Sequence, residues 1–252
     1  MIEPVLDHIV LDVHGDMDAA AALYRELGFT LTERGYHSIG SINHLAMFAT
    51  DYLELLGWPE GGTSRTELLA YPRGLNGLVF KTEDADATFA HLQKAGLAGD
   101  PPKAFSRPVA VQGGVRDAKF RTVYVAADKS LLGRVYFCEH LTPELVWRPE
   151  WQLHANGVTA IEAVVVASAA PGEVAGLFRA MFGDGAVRQE GERFVVSAGR
   201  PVIEIVPAAS LGTGAAEAAG RRHYVATLRL AGRSGAAVPA DRAGNVRLEF
   251  VD

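Results

Sequence analysis

Short apolar runs rich in β-branched residues alternate with amphipathic runs along this chain. The first run, residues 6–13, lies between Pro4 and a polar turn, which predicts a strand. The next run has apolar residues at three- and four-residue spacing up to Leu27, which predicts a helix that Asp16 caps and Gly28 ends. Three more strand candidates follow at 29–33, 41–49 and 52–56. The pattern therefore predicts a βαβββ unit.

The same order of elements recurs twice. The second unit has strands at 75–80, 105–111, 120–125 and 134–138 with a helix at 84–94; the third has strands at 161–166, 186–189, 194–197 and 202–206 with a helix at 171–182. Aligning the first strands pairs His8 with Gly77 and Ala163, and a helix-ending glycine follows these positions by 20, 19 and 20 residues. One preserved spacing in three units indicates an internal repeat. A fourth unit is truncated: strands are predicted at 224–230 and 246–251, and a Gly/Ala/Pro-rich segment at 231–244 replaces or shortens its helix.

The recurrence predicts two halves. A linker at 146–156 separates the second and third units, so we expect one domain of two units at 1–148 and a second, degenerate domain at 149–252. A further Ala/Gly-rich linker at 208–220 is expected to be mobile or weakly helical. The expected class is α+β, with paired units forming curled mixed sheets.

Composition narrows the function classes. The chain of 252 residues is 48% hydrophobic with a net charge of −6, which argues against a nucleic-acid surface. Its single cysteine, Cys138, excludes an intramolecular disulfide and a cysteine zinc cluster. Without a signal-peptide pattern or an apolar run of membrane-spanning length, a cytoplasmic protein without membrane contact is the default expectation.

Four runs carry a family resemblance: Asp7-His8, the His37-x-x-Gly40-Ser41-x-Asn43 segment, Tyr52-Leu53-Glu54-Leu55 and residues 138–147. They resemble the vicinal oxygen chelate superfamily, which includes glyoxalase I, extradiol dioxygenases and methylmalonyl-CoA epimerase, and within it the glyoxalase-like domain family. The resemblance covers 5–148 well and 157–252 more loosely. It implies a half-open, eight-stranded curled sheet around a cavity, with metal ligands on the first and last strands of each unit.

The resemblance implies His8 and Glu54 as ligands of a divalent metal such as Fe, Mn, Ni or Zn. Imidazole and carboxylate do suit the same borderline metals. The other units lack the set. Gly77 and either Tyr136 or Cys138 stand at these positions in the second unit, Ala163 and Glu204 in the third, and Ala226 and Glu249 in the fourth. The sequence therefore predicts a half-site.

Other polar residues surround this half-site in the predicted fold. Strand alternation puts Leu6, His8 and Val10 on one face of the first strand, and His8 points into the cavity if this is the concave face. It also puts Tyr52 and Glu54 on one face of their strand and Asn43 and His44 on opposite faces of theirs. The resemblance favours Asn43, although His44 stays open as a third ligand. The expected substrate contacts are His37, Asn43, Tyr52 and Tyr136, with a solvated loop position left open for His37. Glu54 and His140 are the expected catalytic acid/base residues, with a linker role open for His140.

Three residues outside that set are expected to be structural. Cys138 is predicted to be a small buried hydrophobe. Glu204 and Glu249 are predicted to form salt bridges with Arg200, Arg229 or Arg247.

Two functions remain open from the sequence. One is a lyase/isomerase or dioxygenase-type enzyme, in which a metal at His8 and Glu54 binds a small oxygenated metabolite and His140 moves protons. The other is a metal-free sequestration or resistance protein that binds a small molecule in the same cavity. The expected partner is a small-molecule ligand, and a homodimer is a candidate assembly.

Overall fold

A computed structural model describes residues 2–211, 220–232 and 235–252. The described residues form three α-helices: α1 (Met17–Glu26), α2 (Ala85–Lys94) and α3 (Pro171–Phe182). The strands of the first half are β1 (Leu6–His14), β2 (Gly35–Tyr36), β3 (Ile42–Met47), β4 (Tyr52–Gly57), β5 (Gly74–Lys81), β6 (Lys103–Val111), β7 (Gly114–Tyr124) and β8 (Arg134–His140). Those of the second half are β9 (Ala160–Ser168), β10 (Val187–Glu190), β11 (Arg193–Ser197), β12 (Val202–Pro207), β13 (His223–Ala231), β14 (Gly235–Val238) and β15 (Arg247–Val251).

The first eight strands form one mixed sheet in the order β2-β3-β4-β1-β5-β8-β7-β6. The β1/β5 pair is central and antiparallel, and the parallel pairs β1/β4 and β5/β8 flank it. The sheet curls until its two edges meet. At this point the Ser38 amide, just after β2, donates a hydrogen bond of 2.8 Å to the Ser106 carbonyl of β6. The resemblance implied a half-open sheet; this contact between the edges encloses its cavity further.

The remaining strands form a second mixed sheet in the order β10-β11-β12-β9-β13-β15-β14. The predicted fold class, α+β with two curled mixed sheets, is confirmed. After β13 the described residues 235–252 contain the two strands β14 and β15 and a single 3₁₀ turn at 240–242, with no α-helix. Of the predicted linker at 208–220, residues 212–219 lie outside the described part of the chain.

One apolar core joins the two halves. Phe80 of β5 packs edge-on against Phe182 of α3, with ring centroids 4.9 Å apart. The Ile161 amide also donates to Asp51 at 3.1 Å, which ties β9 to the first half. The division at residue 148 lies between β8 and β9 and stays a prediction.

Two local predictions were wrong. Residues 29–33 do not form a strand, because within them only Thr32 bonds to β3, through Leu45 and the His44 side chain, and the ladder itself begins at Gly35. Asp16 makes no side-chain cap for α1; its carboxylate instead pairs with Arg73. Among the described residues, no helix has the length and apolarity needed to span a membrane.

Candidate functional site

The concave side of the first sheet lines a cavity that is partly open to solvent. Its apolar wall includes Leu45, Phe105 and Phe120. Its polar lining comprises His8, His37, Asn43, Tyr52, Glu54, Arg65, Arg107, Thr122, Tyr124, Arg134 and Tyr136. The cavity thus combines two imidazoles and three guanidinium groups with one carboxylate.

His8 lies at the centre of this cavity wall and is 3% exposed. A register shift between Leu6 and His8 places Leu6 in the core between the sheets, so the expectation that Leu6 shares the cavity face was wrong. His8 Nδ1 lies 2.6 Å from Asp7, and Nε2 lies 3.5 Å from Glu54 Oε2 and 3.3 Å from the Tyr136 hydroxyl. The Tyr52 ring stacks on the imidazole at 4.4 Å. Every polar atom of His8 is therefore engaged.

Glu54 faces His8 from the neighbouring strand β4. Its Oε1 accepts a hydrogen bond of 2.7 Å from the Asn43 amide. Burial alone would raise the pKa of Glu54, but hydrogen bonding and charge from His8 outweigh burial and lower this pKa to about 2. For His8, burial lowers the pKa, but its bonds to Asp7 and Glu54 prevail and raise it to about 9. At neutral pH the two residues form a buried ion pair.

His37 and Asn43 continue the polar wall beside Glu54. The Asn43 amide lies 3.2 Å from His37 Nε2, and His37 Nδ1 lies 2.7 Å from the Ser41 hydroxyl, which accepts from Arg65. Burial lowers the pKa of His37 to about 4. His37 is thus neutral and able to accept or donate. His44 points to the other side of β3, bonding the Thr32 carbonyl at 2.8 Å, so it is no third ligand.

His140 lies behind His8 rather than on the cavity lining. Its Nε2 lies 3.0 Å from Asp7 Oδ2, the oxygen that also bonds His8. Burial raises the pKa of Asp7, but the charges and hydrogen bonds of the two histidines prevail and hold it well below its usual range. Asp7 thereby links His140 to the cavity.

Cys138 lines the cavity and is buried. Burial raises the pKa of its thiol, as expected of a small hydrophobe rather than a nucleophile. Asp7, Cys138 and His140 do offer donor atoms within 4.8 Å of one another, a second arrangement that could hold an ion.

The second unit leaves the half-site incomplete. Gly77 faces Val10 across the β1/β5 pair, and a Cβ at residue 77 would lie 2.6 Å from the Val10 Cβ. A histidine cannot occupy that position without displacing Val10. The register also places Tyr136, rather than Cys138, where Glu54 stands in the first unit, since Tyr136 is two residues beyond the partner of Gly77.

The second sheet repeats the strand register of the first sheet but lacks its histidine. Glu204 pairs with Val165 as Glu54 pairs with Val10, so Ala163 takes the place of His8. In the last unit the counterpart of His8 is Thr227 and not Ala226, because a register shift at 225–227 moves the position by one residue. Ion pairs of Arg229 with Glu204 and Glu249, and of Arg247 with Glu249, match the expected salt bridges; Arg200 takes no part in them.

Two buried arginines of the cavity were missed by sequence reasoning. Arg134 makes a two-bond ion pair with Asp12, at 2.9 and 2.5 Å. Arg107, on β6, is 3% exposed and has no carboxylate within 4.0 Å among the described residues. A signal for Arg107 was present: it alternates with Phe105 and Val109, and so lies on an inward-facing position.

The curled sheets and the cavity define a protein with the glyoxalase-like fold. The glyoxalase-like domain profile matches residues 6–182, and the chain belongs to this family. No curated protein sequence matches the chain.

Solved structures show the same fold at low sequence identity. A hypothetical protein from Staphylococcus aureus is 16% identical, with 98% of this chain and 99% of that chain covered and a TM-score of 0.72. A mutant 4-hydroxymandelate synthase from Streptomyces coelicolor is 17% identical, with 93% of this chain and 72% of that chain covered and a TM-score of 0.53.

Proposed function

We propose that the cavity of the first half is the active site of an enzyme acting on a small oxygenated metabolite, by a lyase/isomerase or dioxygenase-type reaction. The observation that carries this proposal is the buried His8–Glu54 pair at the cavity wall, with Asp7 behind His8. A buried ion pair with perturbed pKa values beside a cavity is typical of functional sites.

The donor atoms of this pair fit a divalent metal through two protein ligands. His8 Nε2 and Glu54 Oε2, at 3.5 Å, are close enough to share one ion at bond lengths of about 2.0–2.2 Å. The Asp7 bond to Nδ1 directs Nε2 toward the cavity, the arrangement common behind metal-binding histidines. When bound, such a metal would act as a Lewis acid on substrate oxygens or as a redox centre.

The chain's own residues orient the substrate and move protons. The Tyr136 hydroxyl, whose pKa burial raises well above its usual value, stays protonated and donates to the substrate. Asn43 holds one oxygen of Glu54 and leaves the other oriented toward His8 and the cavity. His140 reaches His8 through Asp7, and this carboxylate is the route by which a proton would pass between the two imidazoles.

Metal analysis tests the proposal. Protein purified without chelators should hold about one Mn, Fe, Ni or Zn ion per chain, and His8→Ala/Glu54→Ala should lose it. Glu204→Ala is the matched control, because this carboxylate occupies the same register position in the second sheet and should leave the metal content unchanged. Absence of stoichiometric metal, together with no thermal shift on adding these ions, would eliminate the metalloenzyme.

A second candidate is a metal-free small-molecule binding protein that uses the same cavity. The replacement of the other ligands by Gly77 and Tyr136 favours it, as does the engagement of both His8 nitrogens by protein groups. Ligand binding that is unaffected by chelators, in a protein without stoichiometric metal, would support this alternative.

A further inference from the structure

We propose that Arg107 binds an oxyanion of the ligand, so that the molecule acted on in the cavity is a small acid with a hydroxyl group beside its carboxylate or phosphate. This inference deepens the proposed function and rests on it in one respect, that the ligand reacts beside His8 and Glu54. It is carried by a separate observation, the state of the Arg107 guanidinium.

Arg107 is a buried cation with no hydrogen-bond acceptor among the residues that the structure describes. Its Nη2 is buried and lacks a hydrogen-bond partner, and no described carboxylate lies within 4.0 Å of the guanidinium. Leaving a charged donor buried and unpaired is costly, so such groups usually have a partner that binds there. Because Arg107 lines the cavity, that partner can come from a ligand.

The other two arginines of the cavity, unlike Arg107, have hydrogen-bond acceptors within the protein. The guanidinium of Arg134 is neutralised by Asp12 through two hydrogen bonds. That of Arg65 donates to Glu67 and to the Ser41 hydroxyl, both at 2.7 Å. Three arginines thus line one cavity, and the protein supplies acceptors for two of them.

The surroundings of Gly35 place a hydrogen-bond acceptor beside Arg107. A Cβ at Gly35 would lie 2.9 Å from Arg107 Cδ and 2.2 Å from Asn43 Oδ1, so both side chains cross the same bare glycine. Asn43 Oδ1 also lacks a partner, since the Asn43 amide nitrogen is directed to Glu54. A ligand oxyanion on Arg107 and a ligand hydroxyl on Asn43 Oδ1 would satisfy both groups at once.

The apolar wall suggests the rest of the ligand. Phe105 and Phe120 stack with ring centroids 5.1 Å apart and line the same cavity as Arg107, so the wall offers an apolar surface to an aromatic or branched part of the ligand. Phenyllactate, with a carboxylate, a neighbouring hydroxyl and a phenyl ring, is a suitable probe of this chemistry.

Binding should be measured by calorimetry at constant ionic strength, with phenyllactate, its neutral amide and inorganic phosphate as probes. We expect phenyllactate to bind the wild type at least tenfold more tightly than the amide, and Arg107→Met to abolish this preference. Arg116→Met is the control, because Arg116 lies on the adjacent strand with an exposed side chain paired to Glu144. A preference for phosphate that depends on Arg107 would identify the oxyanion as a phosphate.

Two further measurements separate binding from a structural role. Arg107→Met without ligand should melt at or above the wild-type temperature, because it removes an unpaired buried charge. Gly35→Ala keeps the arginine but displaces it, and should weaken phenyllactate binding at least tenfold. Equal binding of acid, amide and phosphate to the wild type, or an acid preference that survives Arg107→Met, would overturn the proposal. Metal content at His8 and Glu54 does not bear on it, so failure of either proposal is recognised separately.

Discussion

The two sheets share a register but differ in how their carboxylates are neutralised. Glu54 and Glu204 occupy the same position beside a parallel strand. Glu54 is 6% exposed and faces the imidazole of His8, whereas Glu204 is half-buried and faces the guanidinium of Arg229. A guanidinium is always charged and cannot ligate a metal, while an imidazole can exchange its proton for one. The identity of the partner therefore separates a pair whose side chains suit a metal from a pair that forms only an ion pair.

The comparison also shows why burial matters. The second concave face holds a partly exposed ion-pair network of Glu204, Arg229 and Glu249, which water screens. The first encloses its charges behind the meeting edges of the sheet, where each interaction is stronger and each unpaired group more costly. The predictions below test that contrast in order of expected effect.

The largest effect is expected from breaking the buried Arg134–Asp12 pair. Arg134→Met leaves the Asp12 carboxylate buried without its partner, and should lower the free energy of unfolding by about 3–5 kcal/mol. Urea denaturation measures this loss. Arg107→Met, in the same cavity, should cause no such loss, and Asp12→Asn/Arg134→Met should recover part of the stability. Equal losses for Arg107→Met and Arg134→Met would show that the two arginines have the same structural role.

The next effect concerns pH and the first sheet only. The folded pKa of His8 is raised from 6.5 to about 9, so its contribution to stability is complete below pH 6.5 and is lost as pH rises toward 9. We expect the metal-free wild type to lose on the order of 1–3 kcal/mol over that interval.

Denaturation of chelator-treated protein at several pH values measures this slope, and His8→Gln should flatten it. The Glu54 pKa of about 2 has the opposite sign: its contribution is present above pH 4.5 and is lost as pH falls toward 2. An alkaline loss that persists unchanged in His8→Gln would assign the slope to another group.

Gly77→Ala tests why the second unit lacks a counterpart to His8. The added Cβ would meet Val10 Cβ at 2.6 Å, so overpacking should lower stability by about 1–3 kcal/mol. Thermal denaturation measures the loss, and Val10→Ala in the same chain should recover part of it. A fully tolerated Gly77→Ala would mean that the β1/β5 pair can separate to admit a side chain.

The sequence predicted the parts of this structure that depend on periodicity. Helix α3 has the predicted bounds, and the repeat of the units, with the family resemblance, identified Glu204 as the counterpart of Glu54. The sequence did not predict features that depend on tertiary contacts. The register shift that makes Thr227, rather than Ala226, the counterpart of His8 has no local sequence signal. Asp12, the acceptor that gives Arg134 a structural role, lies 122 residues away from it. The isolation of Arg107 is likewise visible only once its neighbours are known.

The smallest effect is expected in the second sheet. Glu204→Gln removes one partner of Arg229, but Glu249 remains within 3.4 Å of that guanidinium, and the network is partly exposed. The free energy of unfolding should change by no more than about 0.5 kcal/mol. Glu54→Gln, at the same register position, should cost clearly more, because it leaves the buried His8 cation with Asp7 alone. Parallel urea titrations of the two variants make the comparison. If Glu204→Gln lowers the free energy of unfolding as much as Glu54→Gln, burial is not what distinguishes the two carboxylates.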